Sequence, residues 1–135
     1  MRTTTELRTA SLYITAEIIQ SFAELTDDFN PIHVDAAFAA KTPMGRPIAH
    51  GTMSLCLVWQ CLQRNFGAQA LADLDLQVRF IKPIYIDDVV TAGGKKSESV
   101  RGQYDIWVRG QDDSDRIVGT VTLYAGGDTL QGDMA

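Results

Sequence analysis

Apolar positions recur at helical spacing in the first half of the chain and alternate in the second. Leu12 and Ile14 suggest a short strand, and Thr15 is placed to cap the helix that Ile18, Ile19, Phe22 and Leu25 mark out. Asp35 stands ahead of Ala36, Ala37, Phe38 and Ala39 as the cap of a second, short helix that the 41–47 loop ends. From about Thr52 to Phe66, Leu55, Leu57, Val58, Trp59 and Leu62 cover most faces of a third helix. A helix apolar on most faces is predicted to be buried. Strand-like alternation follows over 74–80, then 89–95, 103–110 and 117–125, with turn-rich links such as 111–115. Gly93-Gly94 reads either as a bulge that bends the sheet or as a weak spot in a strand. The polar tail 126–135 is expected to fray. Helices followed by strands predict an α+β class, in which the strands form an antiparallel meander, each beside the next in sequence, and the sheet wraps around the long helix.

Composition narrows the picture without changing it. A chain of 135 residues, 45% hydrophobic and 21% charged, fits one domain, 1–135, with a real core and no internal repeat. Its net charge of -5 and scattered Lys and Arg residues argue against nucleic acid, which needs clustered cations. The first ten residues lack the apolar run of a secretion signal, and the 53–62 run is too short to span a bilayer. A cytoplasmic location without membrane attachment is the expectation. Cys56 and Cys61 lie about 140° apart around one helix and are not expected to bridge. His33, Asp35 and His50 follow no metal-ligand spacing, so no metal is expected.

The chemistry concentrates in 26–35, Thr-Asp-Asp-Phe-Asn-Pro-Ile-His-Val-Asp. Asp28 and His33 flank an Asn30-Pro31 break, which pushes Asn30 out of helical geometry and lets both side chains face one centre. A carboxylate and an imidazole sharing one water can activate it and move protons near neutral pH. The same residues are also ordinary turn chemistry with an incidental histidine. Downstream, Arg46-Pro47-Ile48-Ala49-His50-Gly51 leads into the long helix. A helix starting at Gly51 leaves backbone N–H groups unpaired at its positive end, and glycine lets a ligand carbonyl approach closely. Read blandly, Gly51 is a tolerated cap and His50 a satisfied loop histidine.

Residues 26–35 followed by 46–51 closely resemble the signature of the MaoC-like, R-specific enoyl-CoA hydratases, which have a hot dog fold. Residues 80–90, Phe-Ile-Lys-Pro-Ile-Tyr-Ile-Asp-Asp-Val-Val, look like that family's first long strand and the turn after it. The resemblance spans about residues 13 to 124. It implies that Asp28 and His33 are the catalytic pair and that the Gly51 N–H is the oxyanion donor. Asn30, Pro31 and His50 would be supports. Two positions depart from the family's pattern. Asp27 stands where a glycine is usual, and it is expected to face solvent. Cys56 is assigned to the pocket where better-known members carry a serine.

The same resemblance implies reversible hydration of a trans-2-enoyl thioester to the (R)-3-hydroxyacyl product, without a cofactor, on a CoA or acyl-carrier substrate. Lys82 is the candidate for the CoA phosphate, with Arg79, Lys95 and Lys96 behind it. A homodimer is expected, because a small curved sheet leaves an edge strand to cover. Trp59, Leu62 and Phe66 either close an acyl tunnel or are ordinary core. Two other classes compete: an acyl-thioester hydrolase on the same fold, and a non-catalytic acyl-binding partner subunit.

Overall fold

A computed structural model describes residues 5–124, and the tail expected to fray lies outside them. Strand β1 (Ala10–Tyr13) leads to α1 (Ala16–Thr26), and the short helices α2 (Pro31–Val34) and α3 (Ala36–Ala40) follow. The long helix α4 (Gly51–Phe66) and a 3-10 turn (Ala68–Ala72) precede β2 (Leu74–Phe80), β3 (Val89–Lys96), β4 (Gln103–Arg109) and β5 (Asp115–Leu123). The caps are those expected: Ile18 N donates to Thr15 Oγ1 at 3.0 Å, and Phe38 N to Asp35 Oδ1 at 3.0 Å.

All five strands pair antiparallel in the order β1-β3-β4-β5-β2. The sheet wraps α4, giving the hot dog arrangement. Leu57, Val58, Cys61, Leu62 and Phe66 of α4 are buried together with Tyr104, Ile106 and Val108 of β4 and Ile117, Val121 and Leu123 of β5. The Phe66 ring meets Tyr104 edge-on at 4.9 Å. Buried Asn65 accepts from Arg8 N and donates to Arg8 O, both at 2.8 Å, which fastens the chain ahead of β1 to α4.

Three expectations need correction. Alternation identified β2 but not its neighbour: it lies beside β5 at the far edge, not beside β3. Residues 81–88 form a loop and not a long strand, because Pro83 and the positive φ of Asp87 (74°) interrupt pairing. Register runs unbroken through Gly93 and Gly94, and the only shift in the β3-β4-β5 ladders falls at Val108/Arg109. Gly94 instead makes room, since a Cβ there would lie 2.6 Å from Asp105 O and 2.8 Å from Leu7 Cδ1.

The two cysteines face opposite ways, as their spacing requires. Cys56 is exposed and Cys61 buried, and burial raises the Cys61 thiol to about 11 despite Arg64 and Asn65 nearby. Native protein is therefore expected to react with one equivalent of a thiol reagent, and Cys56→Ser protein with none until it is unfolded. Two rapidly labelled thiols would contradict this packing.

In the β4-β5 turn, bonds from the Ser114 hydroxyl (2.7 Å) and amide (3.1 Å) lower the Asp112 carboxyl from 3.8 to about 2. A depressed carboxyl stabilises the fold above its unfolded value and loses that contribution as pH falls through its folded value. The urea midpoint is thus expected to decline between pH 3.8 and about 2, and less steeply in Asp112→Asn. Equal slopes would rule the turn out as a contributor.

Candidate active site

The site forms where α1 ends, α2 begins and α4 starts. Helix α1 stops because Asp27 adopts a left-handed conformation (φ 56°, ψ 36°), which turns the chain into Asp28. That conformation explains why glycine suits this position; Asp tolerates it better than most residues, and its side chain is exposed as expected. Asp28 N donates to Ala23 O at 3.0 Å, and Asp28 Oδ1 accepts from Asn30 N at 3.3 Å. Asn30 then caps α2, its Oδ1 accepting from Ile32 N at 3.1 Å, with Pro31 in the first helical position, where it lacks no needed donor. One turn of helix presents His33.

Hydrogen bonding places a proton on one ring nitrogen of each imidazole. His33 Nδ1 lies 2.8 Å from Ile48 O, and a carbonyl only accepts, so Nδ1 carries hydrogen. Nε2 of His33 is left for chemistry. By the same reasoning His50 Nε2 donates to Asp28 O at 3.0 Å. The His50 ring stacks on His33 at 3.9 Å with an interplanar angle of 25°, and Phe22 lies 5.1 Å away. His50 is 1% exposed, and its Nδ1 is the one buried side-chain polar atom without a partner among the described residues. It therefore does more than satisfy a loop: it ties the Asp28 backbone to the His33 ring.

Ligand-type atoms of Asp28, His33 and His50 lie within 4.8 Å of one another. A water with hydrogen bonds of about 2.8 Å to two partners spans such a gap. A tetrahedral metal suits the group less well. Zinc-nitrogen bonds of about 2.0–2.1 Å need lone pairs that converge on one point, and stacked rings aim theirs side by side.

A cavity of about 320 Å³ adjoins His33. Gly51, Ser54, Met44 and Ile117 line it, as do residues 80–84. Gly51 opens α4, where its N–H has no intrahelical partner. A Cβ at Gly51 would lie 3.0 Å from Phe80 Cε2, so the glycine keeps this end of the helix closely approachable. Asp28 is not part of the lining, although its carboxylate belongs to the three-residue cluster.

Pocket assignments from sequence fare unevenly. Cys56 is exposed and outside the lining, whereas Ser54 is buried and inside it. Helical geometry explains the correction: Ser54 lies about one turn beyond Gly51 on the same face, and Cys56 is turned about 140° away. Lys82 does line the cavity. Arg79 lines a separate groove of about 570 Å³ with Trp107 and Arg109, while Lys95 and Lys96 line neither. Trp59, Leu62 and Phe66 are also absent from the cavity lining, Leu62 and Phe66 being core.

Known proteins resemble this chain in sequence and in fold. Over 74 residues the chain is 38% identical to the (R)-specific enoyl-CoA hydratase of Aeromonas caviae, covering 55% of each protein. It is 36% identical over 83 residues to the 3-hydroxyacyl-thioester dehydratase Z of Mycobacterium tuberculosis, covering 58% of this chain and 55% of that one. The chain thus spans about half the length of the curated relatives it matches. Among solved structures, the A. caviae (R)-hydratase superposes with a TM-score of 0.73 at 25% identity, over 92% of this chain and 98% of that one. A family model described as the MaoC-like domain matches residues 2–118, and the chain belongs to that family.

Proposed function

We propose that the protein reversibly hydrates a trans-2-enoyl thioester to the (R)-3-hydroxyacyl thioester. The observation that carries this is the cluster of Asp28 and His33 within water-bridging distance, beside a cavity that Gly51 lines. In the hydration direction the pair works as carboxylate and imidazolium. Water bonds to the β-carbon and gives its proton to Asp28. The β-carbon to α-carbon π pair moves toward the thioester carbonyl, and the Gly51 N–H stabilises the enolate oxygen. The α-carbon then takes the proton from His33 Nε2, and proton transfer from Asp28 to His33 resets the pair. Dehydration is the same sequence reversed, and neither direction asks for a cofactor.

The occupant is an acyl thioester of CoA or of an acyl carrier, and Lys82, which lines the cavity, is the candidate for its phosphate. A homodimer is part of the proposal. Edge strand β2 ends in Phe80, 56% exposed, followed by Ile81, 45% exposed, and apolar residues on a sheet edge favour a second sheet.

A thioesterase would use a carboxylate and water at the carbonyl carbon, and would have no use for a donor to the α-carbon. Adding the protein to crotonyl-CoA separates the classes. Loss of enoyl absorbance without free thiol supports hydration, and stoichiometric thiol release would replace it with hydrolysis. Neither change, from folded protein on short and long enoyl-CoA, would leave a binding role.

A further inference from the structure

Residues 81–84 of the 81–88 loop line the cavity, and beside backbone bonds to Ile14 and Pro47 the loop is held by one buried residue of β5 through both its carbonyl and its side chain. Arg116 is 6% exposed, and its carbonyl accepts from Ile81 N at 2.7 Å and Lys82 N at 3.2 Å. Its Nη1 donates to Pro83 O at 3.1 Å and to Asp88 Oδ2 at 2.6 Å. Nε reaches Ser114 Oγ at 3.1 Å and Nη2 reaches Asp112 Oδ1 at 3.4 Å. Asp88, 4% exposed, also accepts from Tyr85 N at 2.8 Å and from Gln111 Nε2 at 3.3 Å. At residue 110 a side chain would strike the guanidinium, and glycine stands there.

The loop in turn grips the segment that delivers Gly51. Ala49 N donates to Ile84 O at 2.7 Å, Ile86 N donates to Pro47 O at 3.0 Å, and Ile48 bridges Tyr85. Ile48 also supplies the carbonyl that holds His33 Nδ1. Both the helix start and the imidazole are thus braced against a loop that Arg116 fixes from behind. Stability alone is a weak reason for such a pair, because well-packed apolar replacements of buried ion pairs are often neutral or better.

We propose that Arg116 is a positioning residue: through Pro83 and Asp88 it sets the 81–88 loop, and through that loop the place of the Gly51 amide relative to His33. The effect on catalysis rests on the hydration proposed above; the effect on the loop does not.

The test is the double variant Arg116→Met/Asp88→Asn. The new amide oxygen keeps an acceptor for Tyr85 N, and no buried charge is left behind. The Tm is expected within a few degrees of wild type. Amide exchange at Ala49 and Ile86 should quicken about ten-fold or more while β4 amides stay as slow as before. With crotonyl-CoA, kcat should fall about 10- to 100-fold with KM changed less, since small misplacements at a reacting centre cost that much. Arg116→Lys, a point donor in place of a fork, should fall between the two. Unchanged exchange at Ala49 and Ile86, or exchange that rises equally in β4, would overturn the proposal. So would faster exchange with wild-type kcat. If wild-type protein hydrates nothing, the hydration proposal fails, and the exchange pattern alone decides the clamp.

Discussion

Asp28→Asn protein is expected to fold as wild type does and to lose hydration activity by about 10²- to 10⁴-fold. The carboxylate is at least partly exposed and makes only the 3.3 Å bond from Asn30 N, which an amide oxygen accepts equally well. The helix end on which it sits is held by backbone, from Asp28 N to Ala23 O and from His50 Nε2 to Asp28 O, and neither bond involves the side chain being changed. What asparagine lacks is the capacity to take a proton from water. Steady-state rates on crotonyl-CoA beside a thermal melt check both halves. Substantial activity in a folded Asp28→Asn protein would remove Asp28 from the chemistry, and a collapsed Tm would show that its role had been structural.

Arg116→Met alone is expected to cost about 3–5 kcal/mol, because it leaves Asp88 ionised and unpaired in the interior. In a chain of this size that is a fall in Tm of roughly 10–20 °C. Burial disfavours the Asp88 anion, but the Tyr85 amide, the bonds from Arg116 and Gln111 and the Arg116 charge outweigh it, holding the carboxyl below its usual 3.8. A carboxyl lowered in this way stabilises the fold above the unfolded value and stops doing so as pH falls through the folded one. The gap between wild type and Arg116→Met should therefore be widest near neutral pH and narrow below about pH 4. Calorimetry across that range measures it, and a gap that is small or independent of pH would mean that the ion pair does not act as described. Recovery of Tm in the double variant would place the loss on the orphaned charge and not on missing bulk.

The sequence showed a good part of this molecule because local rules and global fold agree over most of it. Thr15 and Asp35 are caps by chemistry and cap in fact, and Leu57, Val58 and Leu62 are buried as expected, but Trp59 on the other face of the same helix is 36% exposed, so the helix is not buried all round. Alternation over Leu74–Phe80 located β2 but carries no record of which strand lies beside it, so its place next to β5 could not be read. Nor did composition separate the 81–88 loop from a strand, since Ile81, Ile84, Tyr85 and Ile86 are strand formers held in a loop by long-range bonds to Arg116 and Pro47. In the site, spacing across Asn30-Pro31 suggested that Asp28 and His33 face one centre, and the structure brings them together with His50. The stacking of His50 on His33 depends on how α2 meets the start of α4, which no local pattern encodes. Ser54 was legible in principle, since i+3 from Gly51 shares its face and the i+5 of Cys56 does not. The Arg116-Asp88 pair was not legible, because burial of a pair is invisible until both partners are placed.

Crotonyl-CoA incubated with the protein in D2O, with Asp28→Asn protein in parallel, tests the central claim most directly. Hydration by the Asp28-His33 pair should place the hydroxyl on the β-carbon in the R configuration and one solvent deuteron on the α-carbon, with the thioester intact and the variant nearly silent. A free thiol with an unaltered enoyl chain, or labelled product formed equally well by Asp28→Asn protein, would contradict it.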